Sequence, residues 1–255
     1  MLKTAAMLTM ALVAVASAGA CGGSGHRPSG ERTSPSTRPA AAPHPLPQSS
    51  ENVPLDPANF TTAIDNPYWP MQPGSRWVYR EGKGRDEVTV LNETKTVAGI
   101  QSRIVHDVLT EGGAVKEDTY DWYAQDRDGN IWYMGEATKE FHKGKPPNTE
   151  GSWEAGVHGA QPGVIMPARP TPGLLYRQEY YRGQAEDAGQ ILALDEHVRV
   201  PYGSFDHTLK TKDYSPLEPN VIEQKYYAPG VGPVLAVTVS GGSDKEELLS
   251  YTKGG

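Results

Sequence analysis

From residue 76 onward the chain is written in short runs of β-branched and aromatic residues separated by Gly, Pro, Asn and Asp. Arg76-Trp77-Val78-Tyr79-Arg80, Glu87-Val88-Thr89-Val90-Leu91, Arg103-Ile104-Val105-His106-Asp107-Val108 and Thr119-Tyr120-Asp121-Trp122-Tyr123-Ala124 each predict a strand of five to eight residues. Asp126-Arg127-Asp128-Gly129-Asn130 is turn chemistry, and Ile131-Trp132-Tyr133-Met134 reads as the returning strand. No segment keeps a 3.6-residue apolar period long enough for a substantial helix. A single helical turn is expected where Asp56 can cap and Pro57 occupies a first helical position.

The pattern recurs. Pro73-Gly74 followed by Tyr79 parallels Pro172-Gly173 followed by Tyr176, and Val88-x-Val90 before Gly99 parallels Leu192-x-Leu194 before Gly203. Trp122-Tyr123-Ala124 and Tyr226-Tyr227-Ala228 stand at the same interval of 104 residues. These matches predict two related meanders, at about 73–135 and 172–240. The fold class expected is all-β: a curled antiparallel sheet, as a half-barrel, barrel or sandwich, with few short helices. Accumulated strand twist curls a sheet of this size and gives it an inner face. Between the halves, about thirty-five residues from Glu136 to Pro170 carry only scattered apolar positions. They are expected to form a loop folded over one mouth of the sheet, with Trp153, Val164, Ile165 and Met166 held down by burial.

The amino terminus is organised differently. Met1-Leu2-Lys3 leads into the apolar run Ala5–Ala16, then Ser17-Ala18-Gly19-Ala20 and Cys21, the chain's one cysteine. The run is shorter than the roughly twenty residues a spanning helix needs, and it fits a signal-peptide core at 1–20. The arrangement resembles a bacterial lipoprotein signal, departing from it at Ala18, where Leu is usual. The resemblance implies acylation of Cys21, with diacylglyceryl and palmitate-type chains, and location on the extracytoplasmic face of the cell membrane. Plain secretion after Ala18-Gly19-Ala20 is the alternative. Residues 21–50 are rich in Pro, Gly and Ser, with Leu46 the one large apolar residue, and are expected to be a disordered tether. Residues 51–255 are expected to form a single β-rich domain.

Charge narrows the partners. The chain carries −7 overall, and because Lys3, Arg27, Arg32 and Arg38 outweigh Glu31 in its first fifty residues, the rest carries −10. Such a domain is unsuited to nucleic acid and is not drawn to anionic lipid by its own field, so a lipid anchor must hold it to a membrane. One cysteine excludes a disulfide framework and a multi-thiolate zinc site.

Candidate chemistry is sparse. Asp126-x-Asp128-x-Asn130 alternates oxygen ligands as a calcium loop does, but Ile131 and Ala137 stand where an EF-hand needs Gly and Glu. No metal and no cofactor is therefore expected, with Asp126, Asp128 and Asn130 the weak metal alternative. His106, His142, His158, His197 and His207 form no zincin pair, and no Gly-x-Ser-x-Gly elbow occurs. Paired acids such as Glu186-Asp187, or Glu117-Asp118 with Asp121, are candidate material for a glycan hydrolase, as is Glu154 or His158 beside a second acid. All five Trp and thirteen Tyr lie in the domain, and their flat faces and polar handles suit an amphipathic ligand or an envelope partner.

Asp65-Asn66-Pro67-Tyr68-Trp69-Pro70 with Pro73-Gly74-Ser75-Arg76-Trp77, Asp121-Trp122-Tyr123-Ala124-Gln125-Asp126 and Lys225-Tyr226-Tyr227-Ala228-Pro229-Gly230-Val231-Gly232 resemble a broad group of actinobacterial exported lipoproteins with no established activity. The reading from sequence is a lipid-anchored, non-enzymatic binding domain, its ligand residues Trp122, Trp153, Glu154, His158, Met166 and Tyr226. An envelope interaction module and a glycan hydrolase are the alternatives.

Overall fold

In the computed structural model residues 46–255 are described. The segments expected as signal peptide and tether, with Cys21, lie outside the described residues up to residue 45. The predicted helical turn is present as a 3-10 turn, Pro57–Asn59, with the Asp56 carboxylate accepting from the Ala58 amide at 3.0 Å. All else that is regular is strand. The strands are β1 (Phe60–Thr61), β2 (Arg76–Glu81), β3 (Gly84–Val97), β4 (Ile100–Glu111), β5 (Ala114–Asp126), β6 (Ile131–Glu140), β7 (Trp153–Glu154) and β8 (Gln161–Met166). The second half supplies β9 (Leu175–Arg177), β10 (Glu179–Tyr180), β11 (Ala188–Val200), β12 (Gly203–Tyr214), β13 (Ile222–Ala228), β14 (Gly232–Ser240) and β15 (Lys245–Thr252).

They form one antiparallel sheet in the order β10-β8-β6-β5-β4-β3-β2-β15-β14-β13-β12-β11-β9, with β1 on β5 and β7 on β6. The hydrogen-bonded ladder does not close into a barrel. Its end strands, β9 and β10, are nevertheless consecutive in the chain and separated only by Gln178. One short segment thus pairs β11 with its first part and β8 with its second. At this seam the backbone of β8 lies so close that a Cβ on Gly163 would come within 2.4 Å of the Arg177 and Gln178 carbonyl oxygens.

The long strands run to 12–14 residues, about twice the length expected. Bulges account for the difference: the ladder slips between Val90 and Thr94 and at three places between β11 and β12. A bulge sharpens strand twist and lets a strand bend without ending. Tight hairpins join them. Ala98-Gly99 and Gly112-Gly113 both have positive φ at the two turn positions, the geometry that matches right-handed strand twist.

The segment from Glu136 to Pro170 departs from the expected lid. β6 continues to Glu140, and Val164-Ile165-Met166 is part of β8, paired with Ile131 and Trp132 of β6. Its apolar run is long enough to be a strand and is buried in the sheet, so only the stretch around Glu150 remains a covering loop. The two Pro-Gly turns make matching bonds: Gly74 donates to Val90 and receives it through Ser75, as Gly173 does with Ile191 and Leu174. The 104-residue offset carries the start of β3 onto the start of β11, and the start of β4 to within one residue of β12.

One end of the curled sheet is plugged by residues 64–72. Gln125 holds this segment, accepting from the Asp65 and Asn66 amides and donating to the Asp65 carboxylate. Trp69 inserts between Tyr123 and Tyr227, with ring centroids at 5.6 and 5.9 Å. Trp77 donates to the Val231 carbonyl in the β13–β14 turn, and Tyr79 to the Pro233 carbonyl at the start of β14.

Candidate functional site

The inner face of the sheet lines a half-open cavity of about 300 Å³, at the lower end of the range for small-molecule sites. Strand parity decides its lining. On β5 the inward residues are Glu117, Thr119, Asp121 and Tyr123; on β6 they are Tyr133, Glu136, Thr138 and Glu140; on β13 they are Glu223, Lys225 and Tyr227. Gly135 adjusts the parity of β6, with φ at +134° beside a bulge opposite Trp122 and Tyr123. Asp86 of β3, Asp107 of β4, Glu179 of β10 and Glu246 of β15 continue the row, and Asp187 enters from the residue before β11.

Thirteen carboxylate side chains and two lysines line the space, with aromatic rings at the plugged end. Lys225 is already committed, 3.2 Å from both Asp213 and Glu223. Burial opposes its charge, yet those two carboxylates together hold its pKa well above the ordinary lysine value. Asp86, Glu179 and Asp187 are only 5–6% exposed. Even so, Asp86 Oδ1, Glu179 Oε2 and Asp187 Oδ1 make no hydrogen bond of their own, although Asp107, Trp153 and Ser215 stand close enough to these carboxyls to act on their titration.

Burial and mutual repulsion act together on these acids. Desolvation pushes Asp121 up to about 7, against a 2.6 Å hydrogen bond donated by the Tyr133 hydroxyl, and Glu117 and Asp86 add to the rise. Desolvation likewise brings Asp187 to about 7, against its contacts with Ser215 and Lys225. Asp107, Glu136, Glu179 and Glu246 stand well above the ordinary carboxylate range, first because they are buried and then because each faces other carboxylates. At neutral pH the cavity therefore holds protons that these residues would lose in water.

The residues singled out by sequence fall elsewhere. Trp122 and Tyr226 have the opposite parity to Tyr123 and Tyr227 and face away from the cavity. Lys95 sits over the Trp122 ring, 3.2 Å from its centroid, and pairs with Glu154 at 2.7 Å. Lys210 stands over Tyr226 at 5.2 Å. Trp153 is buried behind the cavity wall, edge-on to Tyr133 at 5.4 Å. His158 is exposed in the turn after β7, and Met166 is buried opposite Ile131 in the β6–β8 ladder. Only Trp122 and Glu154 are brought together, through Lys95. Of the paired acids, Glu117, Asp121 and Asp187 line the cavity, whereas Asp118 instead pairs with His106 at 2.8 Å.

The Asp126–Asn130 turn spends its oxygens internally. Asp126 accepts from the Asn130 amide, the Asn130 side chain and the Trp132 indole, all at 2.8–2.9 Å, and the Asn130 oxygen accepts from the Ala168 amide. Among the described residues no group of three His, Cys, Asp or Glu side chains converges as a metal site.

No family model matches the chain. No curated protein matches it either. A solved structure from Parabacteroides distasonis, named as a lipoprotein candidate, is similar to it at 13% identity, over 72% of this chain and 98% of that chain, with a TM-score of 0.39.

Proposed function

We propose that this protein is a lipid-anchored, extracytoplasmic, non-enzymatic binding protein whose cavity takes an amphipathic ligand. One observation carries the reading: the inner face leaves a space of about 300 Å³ bounded by aromatic rings at one end and by buried, unpartnered carboxylate oxygens elsewhere. A purely structural module would fill that space, because an unsatisfied buried polar atom costs about 1–3 kcal/mol. Internal duplication of about 73–135 and 172–240 belongs to the same reading, and the matching bonds of Gly74 and Gly173 support it. Trp122, Trp153 and Glu154 then act as supports of the wall rather than as ligand contacts.

A glycan hydrolase needs two carboxyl groups whose environments drive their pKa values apart, one to donate and one to stay ionised. The shifts resolved at cavity acids, from Asp86 through Glu246, are all upward.

Native mass spectrometry of the intact chain, released from the detergent in which it was extracted, is expected to show a non-covalent small-molecule adduct. A clean ligand-free mass from several preparations overturns the cavity reading. Location is tested separately. Cys21→Ser is expected to move the protein from the membrane fraction to the medium, and unchanged partitioning excludes the lipid anchor.

A further inference from the structure

Resting on the binding reading above, we infer that the ligand is a linear aliphatic polyamine, its ammonium groups paired with the inner carboxylates and its methylenes laid on the aromatic end. Three carboxylate oxygens of the cavity wall make no hydrogen bond, and they stand at two separate places: Asp86 on β3, and Glu179 on β10 beside Asp187 just before β11. Each accepts and none donates once ionised, so each calls for a hydrogen-bond donor bearing positive charge. A single compact cation cannot answer all three, and no three carboxylates converge as metal ligands among the described residues. A flexible chain with several ammonium groups reaches separate points. Trp69, Tyr123 and Tyr227 line one end of the cavity, and aromatic rings attract both methylene and ammonium. Once ionised, the same lining repels fatty acids and anionic phospholipid headgroups.

Binding is then an exchange of ammonium for protons. Asp121 faces Glu117 on its own strand, Asp86 and Asp107 from β3 and β4, Glu136 and the Tyr133 hydroxyl from β6, and Glu179 from β10. Asp187 faces Glu179 and Glu136 on one side and Ser215, Asp213, Glu223 and Lys225 on the other. Without ligand these neighbours favour the protonated carboxyl; a bound ammonium favours the carboxylate. Affinity therefore rises with pH, about tenfold per pH unit for each proton displaced while the acid of the free protein is still protonated.

The test is isothermal titration of the intact chain in detergent with spermidine, 1,8-octanediol and calcium chloride in turn, at pH 6 and pH 8. One spermidine per chain is expected, bound at least about tenfold more tightly at pH 8, with proton release shown by the difference between two buffers of unequal ionisation heat. Glu179→Gln and Asp187→Asn are each expected to weaken spermidine about tenfold or more. The same variants, free of ligand, are expected to melt above the unchanged protein at pH 8, because a repelling charge has gone. A merely structural carboxylate would lower both quantities together. Silence of spermidine with binding of octanediol or calcium overturns the polyamine assignment and leaves a binding cavity of another class. Silence of all three probes, with a clean ligand-free native mass, overturns both readings.

Discussion

Lowering the pH from 8 to 5 is expected to raise the melting temperature of the ligand-free protein by about 10 °C. Asp121 and Asp187 have ordinary values of 3.8 and stand at about 7 in the fold. Between those limits the folded protein binds protons that the unfolded chain has already released. Unfolding free energy then falls as pH rises, by up to about 1.4 kcal/mol per pH unit for each independent group. The acids are mutually coupled, so the two together contribute about 3 kcal/mol across this range rather than the full sum. That corresponds to about 10 °C for a domain of roughly 200 residues. The gain ends near pH 4, where the unfolded carboxylates also protonate. It reverses below that, because Glu87 and Glu247 are held low by Arg76, Arg80 and Lys245, and those pairings are lost on acidification. Calorimetry from pH 4 to 8.5 checks the shape. A melting temperature that is flat or rises toward pH 8 means that the inner carboxyls are already neutralised by bound cations. Saturating spermidine supplies the comparison, since it is expected to lift melting more at pH 8 than at pH 5.

That acid-lined interior explains which parts of the molecule were legible in the sequence. Turn chemistry is local, so the Asp56 cap, the Asp126–Asn130 turn and the strands that follow it can be read directly. The all-β class and the curl follow from strand count and twist. Choosing the inner face is a different problem. On β5 both parities contain acids and aromatics, Asp118, Tyr120 and Trp122 against Glu117, Asp121 and Tyr123, so alternation alone cannot tell wall from exterior. The large aromatics Trp122 and Tyr226 look like ligand contacts by type, but they lie under Lys95 and Lys210 on the other side. Charged strand residues are usually solvated, which hides Asp107, Glu136 and Glu246 from sequence reasoning. The usable signal was Glu117-Thr119-Asp121-Tyr123, a polar row ending in an aromatic at strict period two. The β8 run was missed for a related reason: Gly163 interrupts the strand pattern because another backbone passes against it.

Replacing Arg177 by Met is expected to destabilise the fold by about 3–5 kcal/mol. Arg177 is 2% exposed, and its fork is spent on backbone carbonyls. Nη1 donates to Ser49 and Glu51 at 2.8 and 2.7 Å, Nη2 donates to Pro162 at 2.7 Å, and its own amide donates to the Pro47 carbonyl at 2.8 Å. One side chain thereby joins β9, β8 and the strap 46–51 at the place where the sheet's two ends meet. Residues 46–50, expected to belong to the tether, are thus packed here, with Gln48 also donating to the Leu175 carbonyl. Burial lowers the Arg177 pKa to about 10, with Glu51 opposing the fall. The guanidinium therefore pays a desolvation cost that Met would remove. Met does not remove the other cost, since the accepting carbonyls lose charged donors worth about 1.5–3 kcal/mol each. The balance remains strongly unfavourable, and Lys, which keeps charge but not the planar fork, is expected to recover only part of it. Chemical denaturation measures the loss, and hydrogen exchange locates it: amides at 48–51 and at Glu179 are expected to lose protection before those of β3 and β4. A Met variant within about 1 kcal/mol of the parent would mean that the seam is held by the pairing of β8 with β10 alone.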